Sequence, residues 1–98
     1  MKEDALAVPG DEADLRTWLG WGGARLRDAG VDDPRREARL LMAHVLGTDL
    51  AGLLARTRMT ASERAGFLAA VRRRAAREPM AHITGRGGFC SLELETSP

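Results

Sequence analysis

Signals that start or stop helices recur so often in this sequence that no long element fits between them. Pro9-Gly10 marks a turn and Gly30 a helix end. Asp33-Pro34 marks a helix start, with proline at the first helical position, where its missing N–H costs nothing. Gly47 stops that helix, and Thr48 or Asp49 opens a short third one carrying Leu50, Leu53 and Leu54. Thr60-Ala61-Ser62-Glu63 is a capping box, in which Thr60 and Glu63 satisfy each other's free backbone amides. Pro79 disfavours helical geometry at Glu78, so the fourth helix must stop near Arg77. Met80 to Thr84 fit one more short turn of helix, closed by Gly85.

Between these boundaries the apolar residues keep helical spacing. Leu15, Trp18, Leu19 and Leu26 form a stripe in a first helix whose pattern begins at Asp11, with acids in its first turn. Gly20, Gly22 and Gly23 interrupt that helix at roughly 1 kcal/mol each relative to Ala. Either the helix bends there or another backbone packs closely against it, and close packing is the preferred reading. Asp33 is expected to cap the second helix, whose stripe is Ala38, Leu41, Met42 and Val45. The fourth would bury Phe67, Leu68, Val71 and Ala75.

Composition agrees with helix: sixteen Ala and thirteen Leu stand against four Val, one Ile and no Tyr, and strands favour the types that are scarce. The expected fold is all-α, a small bundle of about four to five short helices over residues 11–85, behind a flexible arm at 1–10. After Gly87-Gly88 the character changes. Phe89-Cys90-Ser91-Leu92-Glu93-Leu94-Glu95 alternates at period two, a strand signal with no partner strand before Ser97-Pro98. Such a tail is expected to be a single unpaired strand, mobile beyond about Gly87, and the chain reads as one cut short.

At 98 residues and a net charge of +1, this is one domain, too short for a complete cofactor-dependent Rossmann enzyme and without the strongly basic footprint of a duplex-DNA binder. The single Cys90 gives no intramolecular disulfide, no apolar run approaches the roughly 20 residues that span a bilayer, and the acidic start does not suit a secretory signal. A cytoplasmic monomer is the expectation.

No catalytic constellation is visible. His44, His82 and Cys90 are isolated singletons, so a metal site would have to be assembled from distant parts, and none is expected. Asp32-Asp33 sits at a helix start, where capping explains it, and Glu93 and Glu95 lie on the solvent side of the strand pattern. Gly85-Arg86-Gly87-Gly88 has helix before it and strand after, the reverse of a phosphate-binding loop. Two features could meet a partner. Arg72, Arg73, Arg74 and Arg77 form a short basic run, which at a helix C-terminus also complements the macrodipole as a solvated end. Trp21 lies off the main stripe and is read as a surface or interface residue.

The segment from Arg73-Arg74 through Arg77-Glu78-Pro79-Met80-Ala81-His82-Ile83-Thr84-Gly85 to Phe89-Cys90-Ser91-Leu92 resembles the signature joining the two domains of the HemK/PrmC-type methyltransferases. These enzymes methylate glutamine in peptide-chain release factors. Trp18-Leu19, Pro34-Arg35-Arg36-Glu37-Ala38 and Leu40 through Gly47 also match, so the resemblance covers roughly residues 15 to 98. Gly88 and Cys90 depart from it, where the family usually has an acid and a bulky aromatic on either side of the phenylalanine.

The resemblance implies an N-terminal helical domain followed, at 86–98, by the start of an interdomain β-hairpin. The Rossmann-like domain beyond would bind S-adenosylmethionine and carry an Asn-Pro-Pro-Tyr motif; neither that motif nor a glycine-rich cofactor loop is in this chain. The resemblance therefore implies a non-catalytic domain that binds no cofactor itself and helps the full enzyme engage a release factor, with no direct nucleic-acid role. Two other classes of function are weighed beside it. One is a free-standing helical adaptor binding a protein or nucleic acid through Arg72–Arg77, and the other a helical metal protein or enzyme using His44, His82 and Cys90.

Overall fold

Five helices follow one another in the computed structural model, which describes residues 7–85: α1 (Leu15–Asp28), α2 (Pro34–Leu46), α3 (Leu50–Leu54), α4 (Ala61–Ala75) and α5 (Met80–Thr84). No strand occurs among the described residues, and the expected strand at 89–95 and most of the arm at 1–10 lie outside them. Helix α1 packs against both α2 and α4, α2 also meets α4, α3 lies on α2, and α5 lies on α4. The fold class expected from the sequence is therefore the one observed.

Capping chemistry sets most of the boundaries. The Thr60 hydroxyl accepts from Glu63 N at 3.1 Å while the Glu63 carboxylate accepts from Thr60 N at 2.9 Å, completing the capping box. Asp49 caps α3 by accepting from Gly52 N at 2.8 Å. Helix α1 begins at Leu15 rather than near Asp11, because Asp14 is its N-cap and accepts from Thr17 N at 2.9 Å. At the other end Val31 N donates to Leu26 O and Gly30 N to Arg27 O, with Gly30 at φ +82, a Schellman closure that buries Val31 against Leu26.

Asp33 departs from expectation. It occupies the N-cap position of α2 but in the left-handed region, φ 52 and ψ 55, and its side chain makes no capping hydrogen bond. A capping carboxylate works from extended backbone, as at Asp14 and Asp49, so the left-handed turn into Pro34 takes the oxygen out of reach.

The core gathers Leu15, Trp18, Trp21, Leu26, Leu41, Met42, Phe67 and Val71, with Ile83 covering one end. Phe67, fully buried, is its hub. It meets Trp18 and Trp21 edge to face with ring centroids 6.4 Å from each, and the two indoles pack edge to face at 5.8 Å. Gly22 lets the ring in: a Cβ there would sit 2.7 Å from Phe67 Cζ. Close approach accounts for the glycine at 22, but what approaches is the Phe67 side chain and not the expected backbone. On α4 the inward face is Phe67, Ala70 and Val71, while the expected Leu68 and Ala75 are half-buried at its margin.

Thr60→Ala should cost about 1 kcal/mol, read as a lower urea midpoint, because the Glu63 amide loses the hydroxyl that accepts from it. The Glu63 carboxyl is held below its ordinary 4.5 first by the Thr60 backbone N–H and then by Arg56. A carboxyl with a lowered folded value stabilises fully above its unfolded value, and that contribution disappears as the pH falls through the folded value. Stability should therefore decline below about pH 4.5. The decline should be shallower in Glu63→Gln, which has no carboxyl to titrate, as followed by helical circular dichroism.

Candidate functional site

Three of the four candidate arginines are engaged inside the molecule. Arg74 Nε donates to Glu37 Oε1 at 2.6 Å, and its terminal nitrogens reach Glu37 Oε2 at 3.4 Å and Glu78 O at 3.1 Å. This half-buried pair ties the last turn of α4 to the first turn of α2, and the hydrogen bond to Glu37 raises the Arg74 guanidinium further above its ordinary value. Arg73 grips both carboxylate oxygens of Glu78, with Nε to Oε1 at 2.9 Å, and contacts His82 O at 3.3 Å. That hydrogen bond lowers the Glu78 carboxyl.

Arg77 is the most constrained of the run. It holds the left-handed conformation, φ 74, at the C-terminus of α4, where glycine is usual, and Glu78 N donates back to Arg73 O. Its Nη1 donates to Ala29 O at 3.1 Å and Gly30 O at 3.3 Å, so one cation covers carbonyls at the end of α1. Arg77→Ala would keep the backbone cost and lose these bonds, whereas Arg77→Gly would remove the cost, about 1 kcal/mol. Arg77→Gly should therefore melt above Arg77→Ala; the reverse order would show that the left-handed turn carries no strain. Among the described residues Arg72 is the one of the four whose side chain makes no hydrogen bond or ion pair, although its carbonyl accepts from Ala76 N.

Trp21 is a correction. It is 7% exposed and belongs to the core, not to the surface. Trp21 lies about 60° around the helix from Trp18. A helix covered by one neighbour would leave that angle open, but α1 is covered by two, and Gly22 brings Phe67 across to it. Leu19, expected within the stripe, sits at the margin instead.

Among the described residues the large apolar side chains left exposed are Val8, ahead of the first helix, and Leu50 and Leu54 on α3. Its leucines share one face by spacing, yet only Leu53 is covered; Leu54 is 89% exposed and Leu50 44%. A five-residue helix resting chiefly on α2 has cover only for its middle. A groove of about 280 Å³ runs beside it, floored by Leu15, Leu19 and Leu53 and edged by Arg16, Arg39 and Arg56. A second, of about 330 Å³, lies on the other side of Leu50 and includes Leu40, His44 and Met80. Sequence reasoning missed Arg16, Arg39 and the exposure of Leu54, since spacing reports a shared face and not whether anything covers it.

His44 and His82 are exposed, and Cys90 lies outside the described residues. Among the described residues no three His, Cys, Asp or Glu side chains gather as metal ligands would, and no helix is long and apolar enough to cross a membrane.

The family model for the PrmC N-terminal domain matches residues 17–85, from the first turn of α1 to the close of α5. The chain belongs to that family. As a PrmC N-terminal domain it is 44% identical over 94 residues to a release factor glutamine methyltransferase of Rhodospirillum rubrum, a match that covers 94% of this chain and 27% of that protein. A release factor glutamine methyltransferase of Streptomyces coelicolor is 45% identical over 74 residues, 76% of this chain and 26% of its own length. One of Bifidobacterium longum is 38% identical over 85 residues, 82% of this chain and 29% of its own length. The chain thus spans between a quarter and a third of the length of these three relatives. No solved structure gave a significant match.

Proposed function

We propose that this PrmC N-terminal domain recognises a peptide-chain release factor on behalf of a protein-(glutamine-N5) methyltransferase. The parent enzyme would transfer a methyl group from S-adenosylmethionine to a glutamine of that factor in the cytoplasm, during the maturation of the translation-termination machinery. The match to full-length release factor glutamine methyltransferases over nearly all of this chain carries the reading. In it, residues 11–85 are the recognition bundle, 86–98 begin the hairpin to the catalytic domain, and the chain acts as a monomer that holds neither the cofactor nor the reacting groups.

The adaptor reading through Arg72–Arg77 has less support, because Arg73, Arg74 and Arg77 hold Glu78, Glu37 and the end of α1. Titrating the chain with purified release factors should give saturable binding by calorimetry, and titrating it with S-adenosylmethionine should give none. A chain that binds S-adenosylmethionine tightly, or ignores every release factor offered, would overturn the reading.

A further inference from the structure

We infer that the α3 edge is a docking surface for an acidic amphipathic helix of a protein partner. The two leucines at i, i+4 on α3 stand as a ridge with a groove on each side, and Leu50 lines both grooves. Another helix packs by laying its own apolar row into grooves of this kind. No strand edge exists among the described residues to take an extended peptide instead.

The rim supplies the sign of the charge. Arg16 on α1 and Arg39 on α2 edge the groove without a hydrogen-bond or ion-pair partner among the described residues. Arg56, on the same rim, is held by Glu63 at 2.7 Å. Asp14 is the one carboxylate lining this groove, and it is committed to Thr17 N as the cap of α1. Two unpaired guanidiniums beside an apolar floor fit a partner with leucine-sized anchors on one face and carboxylates flanking them. The surface differs from the basic run in its chemistry: there Arg73 and Arg74 are paired with carboxylates, whereas here Arg16 and Arg39 make no ion pair with a described residue.

This rests on the release-factor reading only for the partner's identity, not for its chemistry. The test uses two probes, a purified release factor and a synthetic fluorescein-labelled helix with leucines at i, i+3, i+4 and i+7 and glutamates elsewhere. Both are measured by anisotropy against the unaltered chain, Leu50→Asp/Leu54→Asp and Arg16→Glu/Arg39→Glu. All four side chains are exposed, so both variants should keep the unaltered helical circular dichroism.

The synthetic helix should bind the unaltered chain, lose about tenfold or more in affinity to each variant, as expected on removing central anchors, and weaken with salt. Arg16→Glu/Arg39→Glu should in turn prefer a lysine version of the helix. Failure of the synthetic helix to bind, or equal binding by all three chains, overturns the docking surface. A release factor that binds all three equally also overturns it while leaving the release-factor reading intact. A release factor that binds none, beside a synthetic helix that behaves as expected, removes that reading and leaves the surface standing. Concentration-dependent dimers abolished by Leu50→Asp/Leu54→Asp would make a second copy the occupant. Tighter peptide binding after Glu93→Lys/Glu95→Lys would make it the chain's own carboxy-terminal segment. Either result overturns the proposal.

Discussion

Replacing Phe67 by Ala should cost about 3–5 kcal/mol, the range for removing a fully buried aromatic ring from a core that cannot close over the gap. The ring is 0% exposed and makes edge-to-face contacts with both Trp18 and Trp21, so its loss removes two aromatic pairs as well as buried area. Small domains hold only about 5–15 kcal/mol in total. The variant should therefore be substantially unfolded at moderate urea, with the near-ultraviolet signal of the two indoles collapsing first. Phe67→Leu keeps most of the volume and should lose less, about 1–2 kcal/mol. A Phe67→Ala variant within 1 kcal/mol of the unaltered chain would mean that the ring is not the hub of the bundle.

Gly22→Ala should destabilise, although alanine in the middle of an exposed helix is ordinarily better than glycine by about 1 kcal/mol. The added Cβ would lie 2.7 Å from Phe67 Cζ, 3.1 Å from Cε2 and 3.4 Å from Val71 Cγ2. The far end of a free side chain could swing aside, but this ring is wedged between two tryptophans. Overpacking of that kind costs about 1–3 kcal/mol, which outweighs the gain in helix propensity. Gly20→Ala is the internal comparison. Nothing lies within 4 Å of a Cβ at position 20, so there the propensity should appear undiminished and raise the urea midpoint. Combining Gly22→Ala with Phe67→Leu should cost less than the sum of the two, because the shorter side chain vacates the space the methyl needs. Strict additivity would place the strain elsewhere.

These two expectations separate what could be read locally from what could not. Thr60 with Glu63, Asp49, Gly47, Pro34 and Pro79 all act within one turn of their own position, and the helices begin and end where those residues place them. Asp33 holds the expected position with an unexpected mechanism. Its residue type is common to capping and to left-handed turns, and the path of the chain out of Val31 decides between them. Trp21 is buried against its spacing because the width of a buried stripe depends on how many helices cover it, which one helix's spacing does not contain.

The candidate site shows the same division. Four arginines in six residues read as a charge, but Arg77 meets Ala29 and Gly30 nearly fifty residues away, and Arg74 meets Glu37 across the bundle. In tertiary structure the run becomes a fastening for three helix ends. Conversely Leu50 and Leu54, read as ordinary members of a short helix, are left outside because α3 rests chiefly on a single neighbour.

By itself the sequence determined the order of the helices, most of their ends and the family, since caps, prolines and motif spacing act over a few residues of chain. Only the tertiary structure decided which aromatic is covered, which cations remain open and which leucines stay exposed. Those outcomes depend on contacts between residues far apart in the chain, and local spacing carries no information about what will be packed against it.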